Sequence, residues 1–397
     1  MKKILIILII LVLAILTGWF LLRGGEAPLV GTIMDGLPFG SGENTQLTTN
    51  DQQPTTDGTE TNELGTSSGN LFRISDVPVA GAVAINRQGL TFIRYVDRAT
   101  GHIYEVDAAT RNKRKITNQT LPKIYEAYFR PDGNAILLRY LKNNSDVVEN
   151  VSLNLTLSTS SSTLYTIAST LLRGDISAVS VSSAGALFYA LSDTSSIVTS
   201  AFNGSGLRTL LNSPFTDWKL TSSGNGVVLS TKTSSGTPGY AYTLTASNGA
   251  LNKILGPLNG LIVTPNNAGN RVLYSYVENG AKFFAKNLTS GSISEILPAT
   301  LAEKCVWSTK YIDEVYCGAP VGVVGNNEPD NWYKGVTHFS DRLWRFDTAT
   351  QIAELLAEPK VDINIDLDIY QPKLSPNEDY LIFINKTDLS LWVLKLD

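Results

Sequence analysis

From Leu71 onward the chain alternates apolar and polar residues in short runs, each bounded by Gly, Asn, Asp, Ser or Pro. Runs of this period predict half-buried β-strands, and the turn residues between them predict hairpins. One run, Ile124 to Phe129, is followed by Arg130-Pro131-Asp132-Gly133 and then by Ala135 to Tyr140. Pro presets φ and Gly accepts a positive φ, so this tetrapeptide has a physical reason to turn. Equivalent turns fall near Gly89, Gly185, Asn225, Asn267, Lys310 and Asn377, giving seven anchors, most of them 40 to 52 residues apart. A second hairpin centres on Asp107, Asn203, Asn248, Asn287 and Asp347, and is blurred in the second unit by the run Ser158 to Thr163. A fixed period of about 40 residues built from four short strands predicts a radial or stacked repeat.

The last unit is short by one strand. Ile103-Tyr104-Glu105-Val106-Asp107 and Leu343-Trp344-Arg345-Phe346-Asp347 each lead into a further strand, whereas Leu391-Trp392-Val393-Leu394-Lys395-Leu396-Asp397 ends the chain. Leu71-Phe72-Arg73-Ile74 can supply the missing strand. Pairing the two ends closes a ring and removes exposed edges. An open solenoid, the competing architecture, has no use for such a strand.

Two stretches carry a family resemblance. Gln371-Pro372-Lys373-Leu374-Ser375-Pro376-Asn377-Glu378-Asp379-Tyr380-Leu381-Ile382-Phe383 and Tyr128-Phe129-Arg130-Pro131-Asp132-Gly133 resemble the repeat of TolB-type, WD40-like β-propellers. The resemblance covers roughly residues 71–397. It implies an all-β fold of the β-propeller type; with the repeats and the spare strand above, a seven-bladed β-propeller closed by an N-terminal strand fits best, with six or eight blades as the alternatives if one repeat is misread. It names no activity, because such propellers serve many roles.

The N-terminus adds a location. After Met1-Lys2-Lys3 comes an uncharged, mostly apolar segment from Ile4 to Leu22, then Arg23. As a helix it would be about 28 Å long, the hydrocarbon thickness of a bilayer. The basic start favours the N-terminus inside. A single-pass signal anchor over 1–23 is expected, with residues 4–22 in the cell membrane and the C-terminal domain extracytoplasmic; a cleaved signal peptide is the competing reading. Residues 24–70 are rich in Gly, Thr, Asn, Gln, Asp and Pro with few aromatics, the composition of a disordered stalk. Gly65-Thr66-Ser67-Ser68-Gly69 matches a nucleophile-elbow pattern by chance, since that motif needs a strand before it and a helix after it.

Charged residues are 17% of the chain and the net charge is -4, which leaves no broad basic surface for nucleic acid. Candidate chemistry gathers late in the chain. The propeller resemblance implies that the loops between second and third strands share a face with the blade-to-blade connections. The two longest insertions, 318–341 and 358–370, take those positions. The first carries Trp332, Tyr333, His338 and Phe339, expected as a site for a protein or glycan partner. The bland alternative folds these rings back onto the sixth blade. Asp362, Asn364, Asp366 and Asp368 alternate with apolar residues, which predicts a strand with its acids on one face. Asp362, Asp366 and Asp368 are candidate Ca2+ ligands, although same-face side chains about 6.6 Å apart do not converge on a flat strand. Cys305 and Cys317, the only cysteines, would face each other across a hairpin, as a disulfide or as two buried thiols.

The function expected is a non-catalytic binding module or scaffold for an envelope protein or glycan. The alternative is a hydrolase or lyase acting on a glycan or small ester, using Asp362, Asp366, Asp368 or His338.

Overall fold

Seven antiparallel sheets account for nearly all of the secondary structure in the computed structural model, which describes residues 67–142, 145–157 and 165–396. The expected anchor over 1–23, most of the expected stalk and the run Ser158 to Thr163 lie outside the described residues. Among the described residues no helix is long and apolar enough to cross a membrane.

Each sheet is one blade, and six of them are four strands in sequence order. The innermost strands are Val79–Arg87, Ile124–Phe129, Ile176–Val181, Trp218–Ser223, Ile262–Pro265, Cys305–Trp307 and Ile369–Leu374. Each touches the inner strand of the blade on either side, and the seventh touches the first, so the ring is closed. Blade 7 is completed from the other end of the chain: Leu71–Ser75 pairs with Leu391–Lys395, Leu71 opposite Leu394 and Phe72 opposite Val393. The structure is therefore a seven-bladed β-propeller. Ser67–Ser68 adds a two-residue edge to this sheet, and no helix follows it.

The core lies between blades, not in one central mass. Leu343, Leu381, Phe383, Trp392 and Leu394 fill the space between blades 6 and 7. Phe72, Val79, Ile93, Tyr95, Ile382 and Val393 fill that between blades 7 and 1. Alternation in each strand serves this arrangement, because both faces of a blade meet a neighbour.

Turn chemistry sets the repeat. Gly133 takes φ 71° at the end of the Pro-Asp-Gly turn. At the outer hairpins a single carboxylate or amide holds the reversal: Asp107 Oδ1 accepts from the amides of Ala109 and Thr110, and Asp347 Oδ1 from those of Ala349 and Thr350. Asn287 does the same with Thr289 and Ser290. These local bonds favour the turn without help from any long-range contact.

Candidate functional site

Strand direction puts the loops between second and third strands, and every blade-to-blade connection, on one face of the ring. On that face blade 6 carries residues 321–340, between strands Glu314–Pro320 and Asp341–Asp347. This loop is a strap. Asn326 Oδ1 accepts from the Gly280 amide of blade 5. Asp330 Oδ2 accepts from the amide and hydroxyl of Ser235 in blade 4. The Trp332 carbonyl accepts from Lys386 Nζ of blade 7 at 2.6 Å.

The strap is pinned from below by a buried ion cluster. Lys304, fully buried ahead of the inner strand of blade 6, pairs with Asp341 at 2.7 Å and Asp368 at 2.5 Å, both also fully buried. Trp332 Nε1 donates to both Asp368 oxygens at 2.9 Å, and the Phe339 amide donates to Oδ2 at 3.2 Å. Lys304 lies 5.0 Å from the Trp332 ring centre and 4.6 Å from that of Phe339. Two carboxylates thus share one ammonium. Burial raises the Asp341 carboxyl to about 6; Lys304 offsets only part of that, and the Asp368 charge adds to it. Asp341 Oδ1 is buried and accepts no hydrogen bond. Lys386 is lowered by its own burial, with Lys304 adding to the effect.

Next to Trp332 on the strap, Tyr333 stands beside the inner strand of blade 4. Its hydroxyl lies 3.3 Å from Lys219 Nζ, which pairs with Glu303. The residue is 41% exposed. Desolvation by its surroundings, with the adjacent Glu303 carboxylate, pushes the ionisation of its hydroxyl well above the usual tyrosine range. Beside Tyr333 a cleft of about 390 Å3 opens toward blades 3 and 4, lined by Ser177, Thr216, Asp217, Trp218, Lys219, Lys232 and Thr233. The exposed Phe215 ring sits edge-to-face on Trp218 at 5.5 Å.

The four aromatic and histidine candidates of the strap separate. Trp332 is fully buried and Phe339 partly buried against the ion cluster, whereas Tyr333 and His338 are exposed. Trp332 folds back onto blade 6 because its indole N–H finds a buried carboxylate there; it is an anchor of the strap, not a contact surface.

The expected strand through Asp362 to Asp368 is corrected by the structure. Pro359–Asp362 is a helical turn with Pro at its start, and the strand begins only at Ile369. The alternation therefore has no common acidic face. Asp362 accepts from the Glu358 amide, Asp366 pairs with Lys360 and accepts from Ser340 at the surface, and Asp368 belongs to the Lys304 cluster. Each of the three candidate calcium ligands is held by different partners. Among the described residues no group of three or more His, Cys, Asp or Glu is placed to hold a metal ion.

Cys305 and Cys317 are opposed on the first two strands of blade 6 and joined as a disulfide. Lys304, Asp341, Lys219, Glu303, Asp217 and Lys232 were not singled out by the sequence. A glutamate and a lysine inside the otherwise apolar approach Leu301-Ala302-Glu303-Lys304-Cys305-Val306-Trp307 were the available signal.

No protein-family model matches the chain, and no curated protein matches its sequence. Solved structures do resemble it. Virginiamycin B lyase from Staphylococcus aureus superposes with a TM-score of 0.51 at 12% identity, over 82% of this chain and 98% of that one. An oligogalacturonate lyase from Vibrio parahaemolyticus gives 0.54 at 10% identity, over 82% and 93%. TolB from Acinetobacter baumannii gives 0.42 at 13% identity, over 77% and 64%, so the TolB-type resemblance rests on the repeat residues themselves. At such identities the likeness is one of fold, the β-propeller.

Proposed function

We propose that this protein is a membrane-anchored, extracytoplasmic propeller that works as a binding module, with the strapped face as its binding face. The strap carries this reading. Residues 321–340 are tied to three other blades and hold Tyr333 beside a cleft, while the described loops of the opposite face are short turns. A rigid scaffold with one elaborated loop is the usual layout of a recognition surface. The apolar segment 4–22 supports the anchor, and the Cys305–Cys317 disulfide supports an oxidising compartment. An enzyme at the same face, a hydrolase or lyase on a glycan or small ester, is the competing reading, favoured by the lyases that share the fold.

The test is to extract the full chain from its own membranes in mild detergent and identify the protein or glycan that copurifies. Tyr333→Ala should lose it, and Tyr311→Ala, on the exposed opposite face, should keep it. Equal retention by both variants would sink the face assignment, and turnover of a glycan or ester by the purified chain would replace binding with catalysis.

A further inference from the structure

We infer that the cleft beside Tyr333 binds the end of a neutral glycan; this rests on the binding-module reading and names its ligand class. Four observations converge on it. The first is size: about 390 Å3 lies at the small end of ligand sites and holds roughly one or two pyranose rings.

The second is charge. Lys219 and Lys232 line the cleft, but Glu303, outside the lining, pairs with Lys219, and the lining residue Asp217 balances Lys232 in formal charge. A site with two cations and two carboxylates has no surplus charge with which to select a polyanion.

The third is the hydrogen-bonding inventory. Ser177, Thr216 and Thr233 bring hydroxyls, those of Ser177 and Thr233 already donating to the carbonyls of Ala190 and Leu261 and so left to accept; Lys232 donates and Asp217 accepts. Sugar hydroxyls are donors and acceptors at once, and adjacent ones need both senses within a short distance. The lining supplies both.

The fourth is the ring surface. Tyr333, in the lining, is 41% exposed; Phe215, just outside the lining, is 60% exposed and packs edge-to-face on the lining residue Trp218. Exposed flat rings beside polar groups suit the C–H face of a pyranose, apolar on one side and hydroxylated at its edge. An extended peptide would instead take its affinity from main-chain pairing along a strand edge or from deep apolar anchors. Here the polar groups come from loops and strand ends of blades 3, 4 and 6.

The experiment is saturation-transfer NMR and calorimetry on the detergent-solubilised full chain with cellobiose, N,N′-diacetylchitobiose, digalacturonate and tetra-alanine. The two neutral disaccharides should bind, with transfer strongest on their ring protons. Tyr333→Ala should weaken them about tenfold while Tyr333→Phe keeps most of the affinity, as loss of a ring contact predicts. Asp217→Ala should weaken them about fivefold, the effect of one hydrogen bond. Melting curves superimposable on the parent show that each variant is folded. Tighter binding of digalacturonate, binding of tetra-alanine alone, or neutral sugars unaffected by Tyr333→Ala would each overturn the glycan assignment. If no sugar binds while a protein still copurifies through Tyr333, the glycan assignment falls and the binding module stands. If neither sugar nor partner is found, both fall.

Discussion

Blades 1 and 6 each bury an unbalanced set of charges, with opposite signs of imbalance. In blade 1 one carboxylate, Glu105, receives Arg87, Arg94 and Arg114 at 2.7 to 2.8 Å. In blade 6 one ammonium, Lys304, serves Asp341 and Asp368. Burial raises both kinds of carboxyl, but the surroundings decide the outcome. Three guanidinium groups overcome the burial of Glu105 and bring it to about 2. A single ammonium split between two acids leaves Asp341 at about 6. The surplus-cation cluster is therefore a fixed strut at every physiological pH. The surplus-acid cluster, under the strap, carries one proton's worth of adjustability.

Removing the shared group from each cluster should expose the difference. Lys304→Met leaves two carboxylates facing each other with no cation in contact, and should cost about 3–5 kcal/mol, read as a fall in the urea midpoint. Part of that loss is release of the strap, so Trp332 fluorescence should shift to the red. Glu105→Gln should cost less, about 2–3 kcal/mol. Two of its three cations, Arg87 and Arg114, keep 39% and 34% of their side-chain surface in water and are resolvated when the acid is lost. Equal losses would mean that solvent access does not grade these clusters.

The smallest effect is the most diagnostic. Because the folded-state pKa of Asp341 lies above the ordinary 3.8, the folded protein binds the extra proton between about pH 4 and 6. The stability this contributes is full below pH 4 and lost as pH rises through 6. Asp341→Asn should remove that slope, raising the melting temperature above pH 6 by the equivalent of at most about 3 kcal/mol and leaving it unchanged near pH 4. Glu105 follows the reverse rule: its stabilisation is present above 4.5 and fades only as pH falls through about 2. A pH profile of Asp341→Asn parallel to the parent would show that the cluster does not titrate.

Much of the ring was legible because its determinants are local. The seven turns between first and second strands fall at the anchors read from the chain, and the Asp and Asn positions of the outer hairpins hold their reversals with their own side chains. The closing strand was legible too, since a missing strand and a spare one are both visible in a row of repeats. The strap was not. Trp332 reads as an exposed ring in a polar loop, and its partner Asp368 is 36 positions away. Lys304 meets Asp368 across 64 positions. Alternation misled at Asp362 to Asp368 because Pro359 starts a helical turn, so periodicity there reflects burial of Leu367 and its neighbours without a strand. Long-range pairing of unlike elements leaves no short-range period to read.

Joining Leu71–Ser75 to Leu391–Lys395 also sets an order in time. A chain is made from its N-terminus, and units that can fold tend to do so as they emerge. Blades 1 to 6 have all their strands in one continuous stretch, so each can assemble while synthesis proceeds. Blade 7 cannot. Its outer strand is among the first parts of the domain to be made and must wait, with Phe72 and Ile74 unburied, until the final strand is released. Completion of the ring thus reports that the whole domain has been translated, and a domain stopped before Leu391 would keep both ends of its circle open to quality control.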